Sequence, residues 1–299
     1  MAGTTGGTVL VVGAGRMGSH IGVSFALEGR DVMWLVRDPG RADVAIRAAL
    51  AVAVEASLCS PARADALGQQ RRLITGIDGV GDPPHLIIES VAESLELKAS
   101  VLAPLARRWR QAVVATNTSS LSVTAIGAML DAGVRTVGMH FASPALLTPL
   151  VEIVPGERTS ASTAALAVDA VRSIRKQPVL VRREVPGFIW NRLQFALLRE
   201  ALWLVERGVT DAATVDLVVR EILGPRWRMT GPFETAALGG AELFATVAQE
   251  LFPQLAHDVD ATSLPGHLPF APARLEELRM ARDAALVAEA RLERGLATG

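Results

Sequence analysis

His140 and Glu152 stand twelve residues apart, the histidine near the end of the apolar run "TVGMHF" and the glutamate inside "PLVEI". Imidazole titrates near neutrality, so it can take a proton from a hydroxyl and return it in the reverse direction. A carboxylate on its other ring nitrogen would orient the ring and stabilise its charged form. Pro144 and Pro149 lie between the two residues, and a hairpin-like return through them would close the gap. Such a pair suits the oxidation of an alcohol to a carbonyl, where a base removes the hydroxyl proton as hydride leaves.

A second constellation supplies the place where hydride could go. Gly13-Ala14-Gly15-Arg16-Met17-Gly18 follows the run "TVLVVG" and opens a helical pattern. In this context Gly13 permits a tight turn, Gly15 lets backbone approach a pyrophosphate, and Gly18 lets helix and strand pack closely. The first helical turn, with Arg16 and Met17, offers N–H groups and a partial positive charge to phosphates. A dinucleotide, NAD or NADP, is the implied cofactor. NAD-selective sites end the second strand with an acid on the ribose hydroxyls. Here that strand reads "WLVRD", with Val36 in the acid's place, Arg37 next and Asp38 one step beyond. Arg37 could stack on adenine and pair with a 2′-phosphate, or it could be solvated while Asp38 reaches the ribose; the sequence leaves both open.

Holding these groups requires an alternating framework. From Thr8 to about Ile153, β-branched runs alternate with Ala-rich amphipathic segments, the pattern of a parallel sheet with crossover helices. Strands are expected at "TVLVVG", "DVMWLVR", "RRLITG", "HLIIES", "AVVATN", "TVGMHF" and "PLVEI". After Thr159 come a helix over "ASTAALAVDAVRSI", a strand at "QPVLVRR", and nearly continuous helical pattern. The expected fold is α/β, a Rossmann-type doubly wound sheet followed by an all-α second domain. Residues 1–185 form the NAD(P)-binding domain and residues 186–299 the helical substrate and dimerisation domain. The boundary falls at Pro186-Gly187, with the proline in the first turn of a helix over "FIWNRLQFALLREALWLVERG" that stops at Gly208. That helix is apolar on nearly all sides, so burial and a homodimer through the second domain are expected. The last thirty residues, rich in Ala, Arg and Glu, read as a charged surface helix.

Composition narrows the partners. With 30 basic and 31 acidic residues, the net charge of −1 offers no field for nucleic acid or an anionic membrane, and a small local ligand fits better. The single cysteine, Cys59, excludes an intrachain disulfide, and the polar N-terminal Gly/Thr stretch lacks a signal peptide's pattern, so a cytoplasmic location is expected. No apolar run approaches the ~20 residues of a membrane span. His20, His85, His257 and His267 read as structural or exposed, and no cluster has metal-ligand spacing, so no metal is expected.

Four segments, "IIESVAESLELK" (Ile87 to Lys98), "NTSSLS" (Asn117 to Ser122), "GMHFASPALLTPLVEI" (Gly138 to Ile153) and "PGFIWNR" (Pro186 to Arg192), together with the glycine loop, resemble the L-3-hydroxyacyl-CoA dehydrogenase family. The resemblance runs from Val9 to about Gly240. It implies an oxidoreductase that interconverts a small 3-hydroxy and 3-oxo acid or acyl thioester, with His140 and Glu152 as the acid–base pair. It also implies that Ser119 contacts the reacting oxygen, that Asn191 holds substrate and histidine, and that Glu93 and Lys98 lie beside the nicotinamide ribose. Val91 and Asn117, in the same motifs, are assigned to the cofactor. Plainer readings stand beside these: His140, taken alone, as a satisfied structural histidine, Ser119, Ser120 or Ser122 as a helix N-cap, Asn191 as a buried amide, and Glu93 with Lys98 as a surface charge pair.

The chain also departs from the family. Ser143 stands where asparagine is usual in "HFFNP", which makes it a candidate substrate contact, and Pro149 replaces a usual lysine. The segment "LGPRWRMTGPFETAALGG" (Leu223 to Gly240) is similar to the lambda-crystallin, L-gulonate 3-dehydrogenase and carnitine dehydrogenase branch. There Arg226 could clamp a free carboxylate, or be an exposed loop residue. The alternatives are therefore a free 3-hydroxy-acid dehydrogenase of the L-gulonate or carnitine type, and a non-catalytic, crystallin-like dinucleotide-binding protein. Lysine-dependent relatives of the fold are disfavoured, since no lysine lies between Pro186 and Gly208.

Overall fold

The computed structural model describes residues 7–131, 133–258, 260–268 and 270–293. The polar stretch before Gly7 and the end of the C-terminal helical pattern lie outside them. The elements of the first part are β1 (Val9–Val12), α1 (Arg16–Leu27), β2 (Val32–Leu35), α2 (Pro39–Glu55), α3 (Pro61–Gln70), β3 (Arg72–Ile74), β4 (Leu86–Glu89), α4 (Leu95–Arg108), β5 (Val113–Thr116), α5 (Val123–Ala128), β6 (Arg135–Phe141), β7 (Leu150–Val154), α6 (Ala161–Ser173) and β8 (Gln177–Leu180). Then come α7 (Trp190–Glu206), α8 (Ala212–Val218), α9 (Gly224–Met229), α10 (Pro232–Gly239), α11 (Ala241–Leu251) and α12 (Pro272–Glu293). All eight strands read from the sequence are present, joined in one sheet of order β3-β2-β1-β4-β5-β6-β7-β8. Every adjacent pair is parallel except β6 and β7.

Period-two alternation builds a core on each face. Val9 and Val11 of β1 pack with Ile21, Phe25 and Trp34 on one side, while Leu10 and Val12 pack with Ile87, Leu102 and Leu105 on the other. Because helices cover both faces, β1, β4 and β5 are buried throughout, and they read as apolar runs broken only by Glu89 and Thr116 at the ends of β4 and β5. Short polar side chains start the helices: Asp38, Ser60, Ser94, Ser122 and Ser160 accept from the backbone N–H three residues on. Each such cap is worth about 1 kcal/mol.

The order of the strands reverses between β1 and β4, which opens a crevice at their carboxyl ends. Register aligns those ends: Val12 pairs with Glu89, Glu89 with Thr116, and Thr116 with Gly138. The residues that follow on each strand therefore face one edge of the sheet.

The described residues divide into two compact units: those up to Ile189 with those from Glu277 onward, and Trp190–Glu276. The end of α12, assigned from sequence to the second domain, packs on the first unit, with Val287 against Ala56 and Leu147. Arg291 Nε donates to Glu55 O over 2.9 Å. Pro186 lies ahead of α7 and outside its first turn, because Gly187 (φ 78°) and Phe188 (φ 51°) are left-handed and the right-handed helix begins only at Trp190. The expected burial of α7 is also corrected: Leu202 is its one buried residue, while Leu193 and Phe195 are 61% and 58% exposed. Apolar side chains of the second unit, among them Phe233 and Leu238, are exposed in the single chain. No helix among the described residues is long and apolar enough to cross a membrane.

His20, on the inner face of α1, links this helix to the β6–β7 connection, with Leu146 N–H donating to its Nδ1 over 3.4 Å. Burial first, then the charges of Arg16 and Lys176 against the opposing Asp283, bring its pKa from 6.5 down to about 4. The folded chain thus favours neutral imidazole, so its stabilisation is complete above pH 6.5 and declines as pH falls toward 4. Urea unfolding at about pH 7 and about pH 5 should show lower stability in acid, and His20→Gln should reduce that difference.

Candidate active site

The glycine loop leaves β1 through Gly13, whose N–H donates to Leu35 O over 2.9 Å and whose φ is 93°. A Cβ at Gly13 would sit 2.7 Å from the carbonyl of Ser90, and one at Gly18 would strike the Gly13 carbonyl. Gly15 differs, since a Cβ there meets open space. Its role is to leave backbone accessible from outside. Gly15 is also the N-cap of α1; no side chain caps this helix and no acid stands in its first turn. Its leading N–H groups are thus available to an anion. Beside the loop lies a cavity of about 590 Å3, lined by Gly13, Gly15, Val36, Arg37, Asp38, Ser90 and Val91 among others. This geometry fits a dinucleotide with its pyrophosphate at the α1 N-terminus. Arg16 is exposed and Met17 half-buried at the start of that helix.

Asp38 is the N-cap of α2, with Oδ1 accepting from Arg41 N–H over 3.0 Å and Oδ2 3.6 Å from Arg41 Nε. Arg37 is exposed and Val36 is buried.

Near the end of β6, His140 sits directly across the antiparallel ladder from Glu152 of β7. Both are 2% exposed, and Nδ1 lies 2.7 Å from Glu152 Oε2. The second carboxylate oxygen accepts from Ile189 N–H over 3.0 Å, so Glu152 is held from both sides. Phe188 packs edge-on against the imidazole, with ring centroids 5.5 Å apart. On the other flank, Asn117 Oδ1 accepts from Phe141 N–H over 2.9 Å, and Nδ2 lies 3.5 Å from Ser90 Oγ. Asn117 thereby ties the ends of β4, β5 and β6 together.

Lys98 does not belong to a surface pair. It is 1% exposed, and its Nζ donates to Glu89 Oε1 and Oε2 over 2.7 and 3.0 Å, with Glu93 Oε2 at 3.2 Å. Glu89, fully buried, also accepts from Thr116 Oγ1 over 2.7 Å and from Val91 N–H over 2.6 Å. Glu93 gathers the loop after β5, accepting from Thr118 Oγ1 (2.5 Å), Ser119 N–H (2.9 Å), and Ser120 N–H (3.0 Å) and Oγ (3.1 Å). Burial would raise its pKa; the hydrogen bonds from Thr118, Ser120 and Ser119, with the Lys98 charge, overcome this and hold it at about 2.

Ser119 is exposed on this loop, and the cap of α5 is Ser122, which accepts from Ala125 N–H over 3.1 Å. Ser143 is exposed in the β6–β7 connection. Asn191, half-buried in the first turn of α7, and Arg226, exposed on α9, belong to the second unit. The first unit thus assembles His140, Glu152, Asn117, Val91, Glu93, Lys98 and the glycine loop. Sequence reasoning missed Glu89, Thr116, Thr118 and Phe188. The available signal for Glu89 was a carboxylate ending the otherwise apolar strand "LIIE", nine residues before a lysine.

Comparison with known proteins places this architecture. Residues 8–185 match the NAD binding domain of 3-hydroxyacyl-CoA dehydrogenase, and residues 187–265 match the C-terminal domain. The chain belongs to the 3-hydroxyacyl-CoA dehydrogenase family. It is 35% identical over 191 residues to 5-formyl-3-hydroxy-2-methylpyridine 4-carboxylate 5-dehydrogenase of Mesorhizobium japonicum, covering 62% of this chain and 62% of that protein. It is 35% identical over 234 residues to L-carnitine dehydrogenase of Pseudomonas aeruginosa, covering 78% and 73%. Among solved structures, that of a 5-formyl-3-hydroxy-2-methylpyridine 4-carboxylic acid 5-dehydrogenase, described as an NAD+-dependent dismutase, superposes with a TM-score of 0.85 at 28% identity, covering 97% of this chain and 99% of that one.

The buried cation at Lys98 serves two carboxylates at once. Lys98→Met should destabilise the fold by about 3–5 kcal/mol in chemical denaturation, because it strands Glu89 in the interior. Adding Glu89→Gln should recover part of that loss.

Proposed function

We propose that this chain is a nicotinamide-dependent dehydrogenase that interconverts a small 3-hydroxy and 3-oxo acid or acyl thioester. The observation that carries the reading is the 2.7 Å contact between His140 Nδ1 and Glu152, at the carboxyl edge of a sheet whose crevice fits a dinucleotide. When bound there, a nicotinamide supplies the site that accepts or donates the hydride.

The chain's own part is the proton. A carboxylate on Nδ1 keeps that nitrogen protonated, so the exchangeable lone pair is on Nε2. As the alcohol is oxidised, Nε2 takes the hydroxyl proton, and Glu152 stabilises the resulting imidazolium. Phe188 keeps one side of the ring dry, which strengthens the ion pair. Ser119 is assigned to the reacting oxygen. Asn191, Ser143 and Arg226 are assigned to the substrate. The name of the Mesorhizobium relative specifies a carboxylate, and carnitine carries one, which favours a free acid; the family description favours the thioester. Both are covered by a spectrophotometric screen of acetoacetyl-CoA, L-gulonate, L-carnitine and simple 3-hydroxy acids with NAD and NADP.

On the substrate so found, His140→Gln should lower kcat by about 100- to 10,000-fold while leaving dinucleotide affinity nearly unchanged. Glu152→Gln should lower it by about 100-fold or more. Dinucleotide binding with no turnover on any of these compounds, and no effect of His140→Gln, would instead identify a non-catalytic binding protein. We further propose a homodimer formed through the second unit, where Phe233 and Leu238 are 88% and 79% exposed in the single chain. Sedimentation should give twice the chain mass, and a monomer at micromolar concentration would count against it.

A further inference from the structure

We propose that the adenosine end of the cofactor cavity is built for a 2′-phosphate, so that the chain takes NADP(H) in preference to NAD(H), with Arg37 as the selecting residue. The inference rests on the dinucleotide reading above and adds to it the identity of the dinucleotide.

Three observations at the end of β2 carry it. The position that would hold a ribose-binding acid is Val36, which is 7% exposed, belongs to the core, and donates its N–H to Ile74 O over 2.9 Å. It offers a ribose hydroxyl no carboxylate. The nearest acid, Asp38, is engaged with α2: one oxygen caps the helix at Arg41 N–H and the other faces the Arg41 guanidinium. Turning it toward a ribose would uncap a 17-residue helix. Arg37, between them, is exposed and lines the cavity, and among the described residues none of its charge is taken up by an ion pair.

Charge and shape agree. Among the residues lining the cavity, the polar side chains that follow β2 and β3 are Arg37, Asp38, Arg41 and the exposed Thr75. Asp38 and Arg41 largely neutralise each other, which leaves the Arg37 guanidinium as the net local charge. A guanidinium can donate two parallel N–H bonds to a phosphate dianion, and Thr75 adds a hydroxyl to the same lining. The adenine ring, common to both dinucleotides, would meet apolar lining such as Ile77 and Leu97. A ribose 2′-hydroxyl can use neither the charge nor the fork, so the site discriminates by what the phosphate adds.

Isothermal titration with NADPH, NADH, adenosine 2′,5′-bisphosphate and 5′-AMP tests this by binding alone. NADPH should bind at least about tenfold more tightly than NADH, and the bisphosphate more tightly than 5′-AMP, with both gaps narrowing as salt is raised. Arg37→Ala should loosen NADPH by about tenfold and leave NADH within about twofold. Equal or tighter binding of NADH would overturn the proposal and leave the dehydrogenase reading intact. Equal weakening of both by Arg37→Ala would also overturn it, since that pattern belongs to a structural residue. If neither dinucleotide binds, the dehydrogenase reading falls as well.

Discussion

An imidazole and a carboxylate placed directly opposite one another on two hydrogen-bonded strands cannot avoid each other. That constraint organises the active edge of this molecule. β7 is the one strand antiparallel to its predecessor, and its reversal puts Glu152 in register with His140. A slip of one residue would send the carboxylate to the other face of the sheet and leave it buried without its partner. The pair is further confined by Phe188 and by the Ile189 N–H, both supplied by the segment that follows β8. Register, loop and chain exit therefore act together on one 2.7 Å contact.

A second polar cluster supports the same edge from beneath. Glu89, Lys98, Thr116 and Glu93 form a connected set at the ends of β4 and β5, and two carboxylates share one ammonium. Buried charges are tolerated only when they are paired and hydrogen-bonded, and here Glu89 is held by a lysine, a hydroxyl and a backbone N–H. Through Glu93 the cluster reaches the backbone of Ser119 and Ser120. The exposed loop after β5 is thus anchored to the sheet through Glu93 and an interior lysine.

Much of the framework was legible in the chain. Eight strands and the glycine loop follow from apolar periodicity and from glycine at positions of positive φ or close approach, as at Gly13 and Gly18. His140 and Glu152 were legible as a spacing with two prolines between them. The helix over Phe188 was legible in kind but not in its start, because the left-handed pair Gly187 and Phe188 interrupts it. Its burial was misjudged, since apolar composition states what a helix needs to cover and not whether its own chain supplies the cover. Lys98 was read beside the nicotinamide ribose or in a surface pair with Glu93, and its burial against Glu89 was not foreseen, because that partner lies on the preceding strand.

The sequence alone determined the order of elements, the phosphate-binding turn and the chemical types at the site, since these depend on residues close together in the chain. Tertiary structure decided which polar groups meet: His140 with Glu152, Lys98 with both Glu89 and Glu93, and Asp38 with the start of its own helix. Turns and periodicity are short-range preferences, whereas the partner of a buried charge is chosen by register and by desolvation across the whole sheet.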